Sequence, residues 1–338
     1  MNQLPRYPLA HLPTPITDAT RLREALGGPS KCPRILIKRD DLTALGLGGN
    51  KARKLEYLIA DALARGAHTV ITTGAVQSNH ARMTAAAASI AGLKCVLVLT
   101  SRYDVPRVEG NLLLDYMFGA EVRFVPSEDP MLAVGRDEDV VAEVVREEQS
   151  AGRMPYVIPV GGSSPVGALG YVSGTEELVG QLRAMDVAPT RLYFGSGSRG
   201  TQAGLTLGAK LTGASYKLWG VAVSAGEPEK IVRAMNAAND AAALLGVDTR
   251  VGREDLFTDQ GFIGEGYGIP TPLGLESIDL LARTEAILLD QVYTSKGFSA
   301  LLAHVRAGEI PPSDTVVFLH TGGTPALFTR EFVATRRW

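Results

Sequence analysis

Short apolar runs that alternate with helical patterns are the feature of this sequence that most restricts its fold. The runs at residues 34–39, 69–74 and 94–100 are rich in apolar and β-branched residues, and a turn and a helical pattern follow each of them. Strands of this kind are typical of parallel sheets that are covered by helices on both faces. We therefore expect an α/β fold. Helices are predicted near residues 50–65, 110–120, 136–151, 228–245, 274–286 and 297–306.

The composition indicates a globular protein and argues against several classes of partner. Of the 338 residues, 45% are hydrophobic and 21% are charged, and the net charge is -2. Such a balance provides no basic surface for nucleic acid. Because no apolar run approaches the ~20 residues of a membrane span, we expect no membrane partner. The N-terminal segment lacks the pattern of a signal peptide, which predicts a cytoplasmic protein.

Metal chemistry finds no support in the sequence. The five histidines are scattered, and none lies in an HExxH pattern or another paired spacing. The two cysteines, Cys32 and Cys95, are too few for a structural zinc site or a disulfide framework. We therefore predict no metal ion.

The segment at residues 48–54, Gly-Gly-Asn-Lys-Ala-Arg-Lys, joins an extended run to a predicted helix. Two glycines permit a tight turn there and bring Lys51 to the start of the helix. A lysine held at this place is a candidate catalytic group, although most lysines near helices are solvated surface residues. Both interpretations stay open from this segment alone.

A glycine-rich turn at residues 195–201, Gly-Ser-Gly-Ser-Arg-Gly-Thr, lies between a predicted strand and a helix. Backbone N–H groups converge at such a turn and favour a phosphate group. The turn also matches the GxGxxG pattern of dinucleotide-binding proteins, but the expected acidic residue at the end of the next strand is missing. A glycine turn that only packs is the third interpretation.

A polar cluster at residues 77–80, Gln-Ser-Asn-His, precedes an alanine-rich helix. Its hydroxyl, amide and N–H groups are suited to hold a carboxylate, although serine and asparagine also cap helices for stability alone. Tyr267 and Tyr293 lie in loops where a phenol could transfer a proton. A lysine, a phosphate site, a carboxylate site and accessible tyrosines are together what pyridoxal 5′-phosphate requires.

Ten segments, in order, resemble the fold type II pyridoxal-phosphate enzymes. Within them, the resemblance is to the D-cysteine desulfhydrase and 1-aminocyclopropane-1-carboxylate (ACC) deaminase family, and it runs from about Pro13 to Phe328. The segments are LPTPI, IKRDDLT, GGNKARKLEYL, GAVQSNHARMTAA, GNLLLDYMFGAEV, YVIPVGGSSPVGALGYV, GTQAGL, GEGYGIP, LLDQVYTSKG and HTGGTPALF.

The resemblance implies pyridoxal 5′-phosphate as the cofactor and Lys51 as the residue that forms a Schiff base with it. Asn50 or Asn79 would contact the phenolic oxygen of the cofactor. Phosphate binding is implied for Gly197, Ser198, Arg199, Gly200 and Thr201 with Lys54. Thr294 would lie near the pyridine nitrogen, and Thr321 would also contact the cofactor. The other implied roles are carboxylate binding by Ser78, Asn79 and His80, and catalysis by Ser78, Tyr267 and Tyr293.

Two positions favour the desulfhydrase branch. Deaminases of this family are expected to carry glutamate and leucine where this chain has Thr294 and Thr321. A hydroxyl group stabilises a protonated pyridine ring less than a carboxylate does, so the ring would be a weaker electron sink. Arg199 departs from the GSGGT pattern, and it could contact the phosphate, contact an anionic substrate group or point to solvent.

The resemblance further implies two three-layer α/β/α domains with mostly parallel sheets, as in the β subunit of tryptophan synthase. Residues 53–152 would form the small domain, and residues 1–52 with 153–338 the large one. A homodimer is expected. The predicted reaction is β-elimination from a small amino acid, D-cysteine first. L-cysteate sulfo-lyase, ACC deaminase, a nicotinamide-dependent oxidoreductase and a non-catalytic binding protein are the alternatives.

Overall fold

Two sheets form the framework of the chain. The structure is a computed structural model that describes residues 4–104, 106–127 and 136–336. The strands in this part of the chain are β1 (Ile16–Asp18), β2 (Arg34–Arg39), β3 (Thr69–Ala75), β4 (Lys94–Ser101), β5 (Glu121–Pro126), β6 (Pro155–Ile158), β7 (Arg191–Ser196), β8 (Lys217–Ala222), β9 (Thr258–Asp259) and β10 (Thr315–His320).

Helices connect most of these strands. They are α1 (Thr20–Ala25), α2 (Lys51–Ala64), α3 (Asn79–Ala91), α4 (Gly110–Met117), α5 (Arg136–Ser150), α6 (Pro165–Ala184), α7 (Gly200–Thr212), α8 (Glu227–Leu245), α9 (Pro272–Glu285), α10 (Thr294–Arg306) and α11 (Arg330–Ala334).

The larger sheet has the strand order β1-β2-β10-β7-β8-β9, and the smaller sheet has the order β5-β4-β3-β6. All strand pairs of the smaller sheet are parallel. In the larger sheet only the edge strand β1 runs antiparallel to its neighbour. The predicted α/β fold with mostly parallel sheets is therefore confirmed.

Alternate residues of the larger sheet enter two separate cores. Ile35 and Ile37 pack in one cluster with residues of α9 and α10. Leu36 of the same strand packs in another cluster with residues of α6 and α7. Because successive side chains of a strand point to opposite faces, helices must cover both faces of this sheet.

The smaller sheet is covered in the same way. Val70 and Leu97 pack with residues of α2 and α3. Ile71 and Val96, their neighbours along the chain, pack with α5 on the opposite face. Each sheet is thus the middle of three layers, and the carboxyl ends of the strands lead into the loops and helix starts described below.

The start of helix α10 differs from its predicted position. Helix α10 begins at Thr294, three residues before the predicted start, because the Asp290 carboxylate accepts the N–H groups of residues 292, 293 and 294. The strand Pro155–Ile158 pairs with β3, so the smaller sheet extends beyond residue 152. The proposed division of the chain into domains stays a prediction.

Two chemical features are absent from the described ranges. None of their helices combines the length and the apolar character needed to cross a lipid bilayer. The same residues contain no group of three or more histidine, cysteine, aspartate or glutamate side chains placed to hold a metal ion.

A buried ionic network joins α2 to the residue that follows β2 of the larger sheet and to α6. The Arg53 guanidinium donates to both Asp40 oxygens, each at 2.9 Å, and to the Glu177 oxygens at 2.8 and 2.9 Å. Tyr171 donates to Asp40 at 2.6 Å, and Lys38 binds Glu177. Burial would raise the pKa of Asp40, but the charge of Arg53 lowers it below the ordinary value. The carboxylate therefore stays ionised.

Replacement of Arg53 by methionine is expected to lower the free energy of unfolding by about 3–5 kcal/mol, because Asp40 and Glu177 would remain as buried charges without their main partner. Urea unfolding measures this loss. Arg65→Met, at the residue that follows this helix, is the matched control. Arg65 pairs with Asp61 but is 67% exposed, so its loss should cost about 0.5 kcal/mol or less. Equal losses for the two variants would contradict the prediction.

Candidate active site

The loop before α2 holds Lys51 in one place. Gly48 has φ +75°, and a Cβ at this position would lie 1.8 Å from the Asp41 carbonyl oxygen, so only glycine fits. The Thr43 hydroxyl accepts the N–H of Gly49 and donates to its carbonyl oxygen, both at 2.8 Å. These contacts fix the backbone immediately before the lysine.

The amine of Lys51 is prepared to react near neutral pH. Its Nζ donates to Oδ1 of Asn50 at 3.0 Å. Burial, together with the charge of Arg82, lowers the pKa of Lys51 to about 8, although Asp290 opposes the shift. About a tenth of this amine is therefore unprotonated at pH 7, far more than for a lysine with the ordinary pKa of ~10.4, and the unprotonated form is the one that attacks a carbonyl group.

The start of α7 forms a site for an anion. A Cβ at Gly200 would lie 2.9 Å from Nζ of Lys54, so the glycine leaves open space beside that amine. Lys54 is buried and donates to the Gly161 carbonyl oxygen at 3.0 Å. Burial and the charge of Lys51 put the pKa of Lys54 well below the ordinary value. A dianion beside this amine, at a helix N-terminus, would reverse that shift.

Hydroxyl groups complete the anion site. Nδ2 of Asn50 donates to Oγ1 of Thr201 at 3.1 Å, so the hydroxyl proton of Thr201 is left for another acceptor. Ser163 donates to the Ser198 hydroxyl at 2.8 Å, so the hydroxyl proton of Ser198 is also left for another acceptor. Two hydroxyl donors, the N–H groups that begin α7 and the Lys54 amine are suited to a phosphate group such as that of pyridoxal phosphate.

Arg199 does not point to solvent. Only 2% of this residue is exposed, and its Nη1 donates to Oε1 of Gln202 at 3.1 Å. Its backbone has φ +69°, a left-handed conformation in which the usual glycine of this loop would be unstrained. Of the three alternatives for Arg199, exposure to solvent is excluded.

The start of α3 is the candidate carboxylate site. Ser78 caps the helix, and its hydroxyl oxygen accepts the N–H of Ala81 at 3.2 Å. Oδ1 of Asn79 accepts a hydrogen bond from Nδ2 of Asn111 at 3.1 Å. The first N–H groups of any α-helix have no acceptor within the helix, so those of Asn79 and His80 can bind an anion.

The imidazole ring of His80 is turned away from this role. Thr72 gives its hydroxyl proton to the Ile158 carbonyl oxygen at 2.7 Å, so Nε2 of His80 must donate to that hydroxyl at 3.0 Å. Burial and the charges of Lys51 and Lys54 put the pKa of His80 well below the ordinary value. The ring is therefore neutral, and its Nδ1 has only a lone pair to offer. A carboxylate would be bound through the His80 backbone N–H.

Two phenols lie together at the start of α10. The hydroxyl groups of Tyr267 and Tyr293 are 2.5 Å apart. Burial raises the pKa of Tyr267 to about 12 and also raises that of Tyr293, so both phenols are protonated at neutral pH. Lys296 holds the Tyr267 loop by donating to the carbonyl oxygens of Ile263 and Gly266, both at 2.7 Å.

Thr294 and Thr321, which are predicted to contact the cofactor, differ in their hydrogen bonds. The hydroxyl group of Thr294 donates to Oδ1 of Asp290 and accepts a hydrogen bond from the backbone N–H of Asp290, both at 2.7 Å. Its only proton is therefore already in use. Thr321 lies beside the lysine loop, since its carbonyl oxygen accepts the N–H of Asn50 at 3.0 Å.

Direct contacts connect the predicted site residues across the larger sheet. Asn50 contacts both Thr201 and Thr321. A Cβ at Gly197 would lie 3.1 Å from the Tyr293 ring. Met83 of α3 lies 3.0 Å from the position of a Cβ at Gly49. The starts of α2, α3, α7 and α10 thus meet at one place, which combines an amine, an anion site and two proton donors.

Several residues that shape this place are missing from the sequence predictions. Arg82 holds the lysine loop, and Asn111 holds the Asn79 amide. Asp290 holds the start of α10, and Lys296 holds the Tyr267 loop. Only Asp290 had a local signal, because aspartate side chains often accept backbone N–H groups at the start of a helix. The partners of the other three lie on distant segments.

Comparison with known proteins agrees with this arrangement. Residues 7–322 match the family described as "Pyridoxal-phosphate dependent enzyme". D-cysteine desulfhydrase of Yersinia enterocolitica is 40% identical over 331 residues, which cover 96% of this chain and 96% of that protein. A crystal structure of an ACC deaminase homologue has a TM-score of 0.84 at 38% identity and covers 96% of this chain and 94% of its own.

A more distant structure agrees in fold. O-ureido-L-serine synthase has a TM-score of 0.67 at 15% identity, and the match covers 98% of this chain and 95% of that one. At this identity the likeness concerns the fold alone. The match over residues 7–322 and the relatives near 40% identity, however, extend over nearly the whole sequence. The chain belongs to the family of pyridoxal-phosphate dependent enzymes.

Proposed function

We propose that this protein is a carbon–sulfur lyase that converts D-cysteine and water to pyruvate, ammonia and hydrogen sulfide. The observation that supports it best is the Lys51 amine, with a pKa of about 8, between the anion site of α7 and the carboxylate site of α3. Similarity to the D-cysteine desulfhydrase of Yersinia enterocolitica supports the choice of substrate.

Residues of the anion site would hold pyridoxal phosphate. Its phosphate group would accept hydrogen bonds from Ser198, Thr201 and the Lys54 amine, together with the N–H groups that begin α7. The glycine at position 200 provides the space for it. When bound, the cofactor supplies an electron sink that stabilises negative charge on the substrate Cα.

The protein's own groups would move the protons. Lys51 would take the proton from Cα, because its lowered pKa leaves an unprotonated amine at neutral pH. The sulfur substituent leaves readily, since thiols have a pKa of ~8.5. Tyr293 or Tyr267, which burial keeps protonated, would donate a proton to the departing sulfur. Water then hydrolyses the released enamine to pyruvate and ammonia.

Thr294 and Thr321 support the desulfhydrase activity over ACC deamination. The carboxylate expected at position 294 in the deaminases is replaced by a hydroxyl whose proton already binds Asp290. Of the two hydroxyl groups, only that of Thr321 would therefore be available to the ring nitrogen. A ring that is stabilised so weakly suits the loss of a good leaving group. Opening a cyclopropane ring requires a stronger electron sink.

We also propose a cytoplasmic homodimer. The buried thiols of Cys32 and Cys95 are unpaired, which suits a reducing compartment. Large apolar side chains are exposed on α4 and on the adjacent turn Thr324–Phe328: Leu113 is 44%, Met117 70% and Phe328 69% exposed. An apolar surface of this kind is typical of a subunit interface.

Sodium borohydride, added after pyridoxal phosphate, should attach the cofactor covalently to Lys51. The pKa of the Lys54 amine is lowered as well, but that amine would bind the phosphate group, which leaves Lys51 to condense with the aldehyde. Peptide mass spectrometry locates the attachment. Lys54→Met is the matched control: the cofactor should bind about tenfold more weakly or worse, yet still attach to Lys51. A wild-type protein that stays colourless with added cofactor would contradict the proposal.

D-cysteine should be the best of four substrates when keto acid release is assayed side by side with L-cysteine, L-cysteate and ACC. The good leaving group and the hydroxyl-lined ring site favour cysteine over ACC, and the similarity to D-cysteine desulfhydrase supports the D-isomer as the substrate. The Lys51→Ala variant should release no keto acid from any of them. Faster turnover of ACC or L-cysteate would reassign the substrate, and no turnover of any would favour a binding protein.

Light scattering of the purified protein should give twice the monomer mass. Met117→Asp should weaken the dimer, because it places a charge on the apolar surface of α4. Ile90→Asp is the control, since Ile90 is 57% exposed but lies on α3. A monomeric wild-type protein at micromolar concentration would refute the homodimer.

A further inference from the structure

Asn111, on the first turn of α4, connects the candidate carboxylate site with the lysine loop. Its side chain is completely buried. Oδ1 accepts a hydrogen bond from Nε of Arg82 at 2.9 Å, while Nδ2 donates to the Gln77 carbonyl oxygen at 2.9 Å and to Oδ1 of Asn79 at 3.1 Å. The reaction described above assigns no role to Asn111 or Arg82.

The chemistry of its partners determines which way the Asn111 amide faces. A guanidinium group has only donors, so the atom of Asn111 that meets Arg82 must be the oxygen. A backbone carbonyl has only acceptors, so the atom that meets Gln77 must be the NH₂ group. The two contacts agree, and the reversed amide would lose both hydrogen bonds.

The fixed amide in turn orients Asn79. Because Asn111 presents its NH₂ group, the atom of Asn79 that meets it must be the oxygen. The NH₂ group of Asn79 then faces the other way, and it has no hydrogen-bond acceptor among residues 4–104, 106–127 and 136–336. This donor lies on the first residue of α3, beside the free N–H groups of the helix start.

We infer that Asn111, oriented by Arg82, is a positioning residue that keeps the NH₂ group of Asn79 turned toward the carboxylate of the substrate. The inference rests on the proposed function, in which an amino acid binds at the start of α3. Arg82 also donates to the carbonyl oxygens of Gly46 and Gly48. One guanidinium therefore sets both the direction of the carboxylate donor and the position of the loop that bears Lys51.

Asn111→Asp tests this inference in the holoenzyme with hardly any change of shape. An aspartate still accepts from Arg82, but it cannot donate to Asn79, so the Asn79 amide is free to turn its oxygen toward the substrate. We expect KM for D-cysteine to rise about tenfold or more with a much smaller change in kcat. Binding of cysteamine, which is cysteine without its carboxylate, should be unchanged when followed by the absorbance of the bound cofactor.

Asn239→Asp is the matched control. The Asn239 amide also bridges two polar groups, the N–H and the carbonyl oxygen of Val251, at 2.9 and 3.0 Å, but it lies on α8. This variant should lose some thermal stability and keep its KM for D-cysteine. A purely structural role for Asn111 would give the same result as this control.

A double-mutant cycle with Asn79→Ala provides the stricter test. If Asn111 acts through Asn79, then Asn111→Asp should raise KM no further in the Asn79→Ala background. Asn111→Ala, which introduces no charge, replaces the aspartate variant in the cycle if that variant does not fold. Additive effects, equal weakening of cysteamine, or an unchanged KM in both Asn111 variants would overturn the inference.

Binding of D-alanine separates this inference from the proposed function. D-alanine has the carboxylate but no leaving group, and its effect on the cofactor absorbance requires no elimination. If D-cysteine is not turned over while D-alanine binds about tenfold more weakly to Asn111→Asp, the proposed reaction fails and the role of Asn111 stands. If D-cysteine is turned over and D-alanine binds equally to both proteins, the role of Asn111 fails alone.

Discussion

The position of Lys51 depends on one constraint, the buried contact of Arg53 with the carboxylates of Asp40 and Glu177. Arg53 lies two residues after Lys51 in the first turn of α2, so whatever fixes one fixes the other. Asp40 follows β2, and Glu177 belongs to α6, so the three charges join the larger sheet to two helices. Such a network is stabilising only when every charge has its partners, as these do.

The active site has the opposite balance of charge. Lys51, Lys54 and Arg82 are all buried cations whose pKa values lie below the ordinary ones, because burial penalises their charged forms. Asp115 offers Arg82 little compensation, since burial raises the pKa of this carboxyl group to about 8 and leaves it mostly protonated at neutral pH. A site with three buried basic groups is incomplete by itself, and a phosphate dianion with a substrate carboxylate would stabilise their charged forms.

Much of the framework could be predicted from the sequence, because local patterns determine it. Apolar runs such as 94–100 become buried strands wherever helices cover both faces, and two glycines before Lys51 permit the tight loop that the chain forms there. The direction of the His80 ring could not be predicted. It depends on Thr72 of β3 and on the Ile158 carbonyl of β6, and only the folded sheet brings those two together. The Asn79 amide depends in the same way on a residue of α4.

Two chains of hydrogen bonds lead from a cation to a donor in the site. Lys51 binds the oxygen of Asn50, whose NH₂ group binds Thr201 and leaves that hydroxyl free to donate. Arg82 acts on Asn79 in the same way through Asn111. An amide placed after a donor-only group must present its own NH₂ group to the next residue.

The direction of these hydrogen bonds separates two tasks within one site, the binding of anionic groups and the choice of leaving group. The two chains end at the places proposed for the phosphate of the cofactor and for the carboxylate of the substrate, and these two groups are the same whichever amino acid binds. Neither chain includes Tyr267, Tyr293 or Thr294, the residues that we propose to lie at the leaving group and near the ring. Substitutions at those three positions can therefore alter the choice of leaving group while the two hydrogen-bond chains that orient the anion-binding donors stay intact.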